Sequence, residues 1–161
     1  MRHTLRIITA AAFLCGLTAV RAQSPCPHAT EFRDYNHRII VPVKVNGHGP
    51  YAFLLDTGSQ VTIFDPLLVA ALHVSKDAGS AKLSGLGAAA STRILIADSV
   101  ELDAQTVDHL DAVVYDLTAM QPQYANARIM GILGENFLEQ FNVVINHHSA
   151  CIHLFHGYSP D

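Results

Sequence analysis

Positive charge is scarce in this sequence: ten Lys and Arg stand against fourteen Asp and Glu in 161 residues. Arg2, Arg6 and Arg21 lie in the N-terminal segment, which holds no acid. Residues 23–161 therefore carry seven basic and fourteen acidic side chains, a net charge of −7 with His neutral. That balance argues against nucleic acid or anionic lipid as a partner. Apolar runs of membrane-spanning length are also missing. The one long stretch, Ile7 to Val20, has 14 residues, whereas a comfortable span needs about 20. No repeat and no linker divides residues 23–161, and 139 residues are enough for one well-buried domain. Cysteine is sparse too, with Cys15 inside the apolar stretch and Cys26 and Cys151 near the two ends of the remainder.

The N-terminal segment has the layout of a secretory signal peptide. Arg2 and Arg6 precede the apolar stretch, and Val20-Arg21-Ala22 supplies a small-residue cleavage site, so 1–22 is expected to be removed after Ala22. An uncleaved membrane anchor is the alternative. Phe13-Leu14 is too bulky for lipoprotein processing at Cys15. The chain is then expected in the periplasm or outside the cell. In an exported protein Cys26 and Cys151 can form a disulfide, and two separate thiols or an intersubunit bridge are the other readings.

The remaining pattern is all-β with two short helices. Ile39, Val41, Val43 and Val45 alternate with Ile40, Pro42 and Lys44, the period of a half-buried strand. Pro42 lacks a ladder donor, which predicts an edge or a bulge. Asn46-Gly47-His48-Gly49 reads as a hairpin turn into the apolar run Tyr51 to Leu55. Val61 to Phe64 reads as a strand, and Asp65-Pro66 as the N-cap and first residue of a two-turn helix ending at Leu72. Residues 75–80 read as a loop, and 83–90 as the glycine-rich tip of a hairpin flanked by 81–83 and 92–96. Short strands follow at 100–102, 105–107 and 112–115, then an irregular connection over 117–127. The end reads as a strand (129–133), a short helix (135–139), a strand (141–145), a turn (146–149) and a strand (150–155).

The motif that carries chemistry is Asp56-Thr57-Gly58-Ser59, set directly after Tyr51-Ala52-Phe53-Leu54-Leu55. It places a carboxylate at the end of a buried strand, on a turn whose glycine lets the backbone approach closely. Some 78 residues later stands Ile132-Leu133-Gly134, followed by Glu135-Asn136-Phe137-Leu138 and Phe141-Asn142-Val143-Val144-Ile145. Together these segments resemble the active-site loop and second signature of the retropepsin-like aspartic proteases. The resemblance runs from about Tyr35 to Phe155.

It implies a closed β-barrel with a flap hairpin and a peptide-hydrolysing site without a cofactor. Such chemistry needs two carboxylates sharing one proton. The sequence has one such motif, so the resemblance implies a homodimer that brings two copies of Asp56 together. It assigns Thr57 a hydrogen bond across the dimer axis and the Gly58 N–H a steadying role. It places Gly85, Leu86 and Gly87 in the flap, and Ile132, Leu133 and Gly134 behind the active-site turn. Terminal strands around 23–33 and 150–155 would build the dimer sheet. A Ser59 hydroxyl donating to the carboxylate would favour its charged form and an acid-leaning optimum. The sequence departs from the family at Asn146, where an acid is frequent, and in the alanine-rich hairpin tip.

Two other readings remain at this level. One is a domain of the same fold that binds peptides without cleaving them. The other is a periplasmic metal-binding protein using His147, His148, His153 and His156 beside Cys151. No pair of these histidines has an i, i+4 helical spacing, which favours a solvated turn, and no metal site is assigned.

Overall fold

The computed structural model describes residues 26, 29–72, 77–83, 90–124 and 127–157; the segment 1–22 falls outside them. Strand β3 (Arg38–Val45) turns into β4 (His48–Leu55) through Asn46 and Gly47, whose φ values are 51° and 75°. Two consecutive positive φ values make the type I′ turn, which matches the twist of the flanking strands and suits Asn-Gly. The turn is shorter than the sequence suggests, because His48 already pairs with Val45.

Pro42 meets both of its sequence expectations. Strand β3 pairs with β2 (Arg33–Tyr35) only as far as Ile40, and with β7 (Ala90–Leu102) only at Lys44 and Val45. Among the described pairings Pro42 therefore faces no strand on that side, and a register shift against β4 follows between Val43 and Val45. Its missing N–H removes no ladder bond.

The larger sheet runs β2-β3-β4-β9-β5-β8-β7-β6, with β5 at Thr62–Phe64, β6 at Asp77–Leu83, β8 at Gln105–Val114 and β9 at Ile129–Leu133. The additional β3–β7 pairing returns the sheet upon itself. The architecture is all-β, as expected. Two details differ. The loop expected over 75–80 is strand from Asp77 onward, paired through Leu83↔Ala90, and β7 and β8 are continuous where separate short strands were expected. Partner strands supply ladder bonds that outweigh the weak strand preference of Asp, Gly and Ser. The connection over 117–127 contains a 3₁₀ segment, Thr118–Tyr124. Hydrogen bonds from the Thr118 hydroxyl and N–H hold the exposed Asp116 carboxyl below its ordinary range. That cap contributes above the ordinary carboxylate pKa and is lost as pH falls through the lowered value.

Helix α1 (Pro66–Leu72) begins as its sequence indicates: Asp65 Oδ1 accepts the Leu67 N–H at 2.9 Å, with proline at the first helical position. A smaller sheet orders β1 (Thr30–Glu31), β11 (Cys151–Phe155) and β10 (Asn142–Asn146). Both terminal regions thus pair within one chain. A disulfide joins Cys26 to Cys151, with Cα atoms 5.8 Å apart. Asp103, in the β7–β8 turn, fastens this sheet from the other side. It accepts the Thr30 hydroxyl at 3.1 Å and the Leu154 N–H at 2.7 Å, and meets His153 Nδ1 at 2.9 Å. Asn146 caps the turn after β10 by accepting the N–H groups of His148 and Ser149, so its departure from the family pattern is local.

The apolar runs bury both strand faces. Phe53, Phe64 and Leu133 join one core cluster, while their chain neighbours Leu54, Ile63 and Ile132 join a second. Successive side chains point to opposite faces, so the strands beneath the Asp56 turn are held by packing on two sides.

Candidate active site

Strand β9 lies between β4 and β5. It runs parallel to β4, through Leu54↔Ile132 and Leu55↔Leu133, and antiparallel to β5, through Ile63↔Ile132. The chain leaving β4 must therefore cross the C-terminal end of β9 to enter β5. Residues 56–61 make that crossing, and Asp56 is its first residue. The Asp56 N–H donates to Leu133 O at 3.1 Å, extending the ladder by one bond.

The Asp56 side chain is half-buried, and Thr57 and Gly58 are exposed. The Gly58 N–H donates to Asp56 Oδ1 at 2.9 Å, and the Ser59 N–H donates to Asp56 O at 3.2 Å. The carboxylate is thus held by its own turn through Oδ1. Ser59 differs from its expectation. Its hydroxyl donates to Val61 O at 2.8 Å rather than to the carboxylate. That carbonyl two residues on satisfies it, so the hydroxyl does not favour the charged carboxylate.

Gly134 sits against the middle of the crossing. A Cβ there would lie 2.6 Å from Val61 C, 2.7 Å from Val61 O and 2.8 Å from Ser59 O. Its φ of −96° is open to any residue, so the demand for glycine comes from space alone. The next residue, at the start of helix α2 (Glu135–Leu138), donates its N–H to Ser59 O at 2.7 Å. Gly134→Ala is accordingly expected to displace the 56–61 crossing, costing about 1–3 kcal/mol of stability. Thermal denaturation alongside peptide turnover would test this, and an unchanged midpoint would contradict it. Ile132 and Leu133 are buried.

Gly131 lies inside strand β9, where a glycine signals close approach, and no motif in the sequence marks it as part of the site. A Cβ there would collide with the Phe53 ring and come 2.7 Å from Ile63 O. Thr62 and Asn136 were also missed. They meet at the far end of the crossing, where Asn136 Oδ1 accepts both the N–H and the hydroxyl of Thr62 at 2.9 Å. No local signal marks a pair separated by 74 residues.

The expected flap residues Gly85, Leu86 and Gly87 lie outside the described residues; the paired arms of their hairpin, β6 and β7, are described. The metal-binding alternative loses its thiolate, since the Cys151 sulfur is bonded to Cys26. His153 is engaged with Asp103, and His147 and His156 lie against Phe32 and Phe141. Among the described residues no group of three or more His, Cys, Asp or Glu is placed to hold a metal ion. Among the same residues no helix is long and apolar enough to cross a membrane.

Comparison with known proteins agrees with this geometry. The family model described as aspartyl protease matches residues 41–137, from β3 through most of α2 and including Asp56 and Gly134. Among solved structures, the chain is similar to a retropepsin-like aspartic protease from Rickettsia conorii. The TM-score is 0.53 at 16% identity, covering 77% of this chain and 86% of that one. No curated protein matches the sequence. The family match spans more than half of the chain, and with the strand order around Asp56 it shows that this protein belongs to the aspartyl protease family, on a retropepsin-like fold.

Proposed function

We propose that the protein is an exported, homodimeric aspartic endopeptidase in which Asp56 of each chain supplies half of a catalytic dyad. The observation that carries this reading is the position of Asp56. It is a half-buried carboxylate at the end of β4, held by the Gly58 N–H, in a chain of the aspartyl protease family with a single Asp-Thr-Gly motif.

Two carboxylates meeting at a twofold axis cannot both ionise, so they share one proton. The ionised partner takes a proton from water as its oxygen attacks the peptide carbonyl carbon. The protonated partner gives its proton to the carbonyl oxygen. The resulting diol collapses as the C–N bond breaks: the carboxyl that took the water proton gives it to the nitrogen, and the other carboxylate takes a proton from a diol hydroxyl, which restores the shared proton. Exposed Thr57 is available to the opposite chain, and the 77–102 hairpin would close over an extended peptide by strand addition. No cofactor enters these steps. The signal-peptide layout of residues 1–22 and the Cys26–Cys151 bridge support export.

The test is incubation of the chain from Gln23 onward, and of its Asp56→Ala form, with a diverse peptide library between pH 3 and 8. Molecular mass is measured on the same samples. Cleavage by the first form alone supports the proposal. Equal background cleavage by both ends it, and binding without cleavage by both would favour the non-catalytic peptide-binding reading.

A further inference from the structure

Four consecutive residues hold the crossing that carries Asp56. Leu133 O accepts the Asp56 N–H at 3.1 Å, the Gly134 N–H donates to Thr62 Oγ1 at 3.2 Å, the Glu135 N–H donates to Ser59 O at 2.7 Å, and Asn136 Oδ1 accepts from Thr62 twice. The first three act through the backbone and would survive most substitutions. Only Asn136 acts through its side chain. Its amide orientation is unambiguous: the Thr62 N–H can only donate, so the oxygen faces it, and Nδ2 donates to Asp111 O at 2.8 Å.

Thr62 is fully buried, and its hydroxyl sits in a directed chain. The Gly134 N–H donates to Oγ1, and Oγ1 donates to Asn136 Oδ1. Aligned bonds of this kind reinforce one another. The same amide reaches β8 beside Ala112, the residue that pairs with Thr62. One side chain thus ties β5, β8 and the β9–α2 junction together at the point where the crossing ends.

We propose that Asn136 is a positioning residue for hydrolysis, acting through Thr62 to fix the Asp56 crossing against the end of β9. This rests on the protease reading above. Two carboxylates that share a proton across a twofold axis tolerate little displacement, and a shift of about 1 Å from a distant change can lower turnover about 100-fold.

The experiment compares Asn136→Ala, Thr62→Val and Thr62→Ser with the parent chain, using the library peptide that the parent cleaves fastest. Rates are taken per folded dimer, well below each melting temperature. Asn136→Ala is expected to lower kcat about 100-fold with KM nearly unchanged. Thr62→Val should follow in the same direction if the first variant fails to fold, and Thr62→Ser should restore turnover. In parallel, hydrogen exchange at the Asp56 and Glu135 amides should accelerate in Asn136→Ala and Thr62→Val, with exchange at Val107 unchanged. Parent-like kcat in Asn136→Ala and Thr62→Val would overturn the proposal, and so would parent-like exchange at both amides. If the parent cleaves no peptide, the protease reading fails by itself. The exchange measurement then still decides whether Asn136 holds the crossing.

Discussion

Asp56→Asn is expected to lower turnover by about 10⁴-fold or more, since the dyad loses both its general base and its general acid. Folding should survive. Asparagine keeps the oxygen that accepts the Gly58 N–H at 2.9 Å, and the side chain is only half-buried. In the proposed dimer the variant also replaces a proton-sharing pair, one member of it charged, with two neutral amides, so its melting temperature should equal or exceed the parent's. Mixing the two forms sharpens the test. If each dimer needs both acids, activity falls with the square of the parent fraction. A linear fall would mean that one chain suffices.

Loss of the Cys26–Cys151 bridge should have the largest effect on stability. The bridge closes a separation of 125 residues, for which chain entropy in the unfolded state predicts about 5 kcal/mol. In a domain of this size that corresponds to a drop of about 10 °C or more in melting temperature. Both cysteines are buried, so Cys26→Ala with Cys151→Ala separates loss of the bridge from burial of a new hydroxyl. The double variant and the reduced parent should melt together, below the oxidised parent. Coincident melting of oxidised and reduced parent would show that the bridge contributes nothing. Asp103 also fastens the terminal sheet, through Thr30, His153 and Leu154, so β1 and β11 should remain paired at low temperature without the disulfide.

The features legible in the sequence are those encoded by neighbouring residues. Asn46-Gly47 announces its turn, Asp65-Pro66 its helix start, and Leu55-Asp56-Thr57-Gly58 a carboxylate at a strand end. Each depends on a local conformational preference. Part of strand β6 has the sequence of a loop, because Asp77, Gly79 and Ser80 have little strand preference, and only pairing with β7 makes them extended. The continuous length of β7 and β8 was hidden in the same way. The turn residues Asp103 and Ala104 mark where one ends and the other begins, but not that each strand runs unbroken to that point.

At the site the division falls in the same place. Asp56 and Gly134 could be found by motif. The destination of the Ser59 hydroxyl could not, because a donor two residues from several acceptors is assigned by backbone geometry. Asn136 could not either. Its value lies in meeting Thr62 and Asp111, which the fold brings to it from distant parts of the chain.

The central claim is that hydrolysis belongs to a pair of chains. The most direct measurement follows specific activity and sedimentation mass together while the purified protein is diluted. Specific activity is predicted to fall in step with the dimer fraction and to vanish for the monomer. Full specific activity in a sample that sediments entirely as single chains would contradict it.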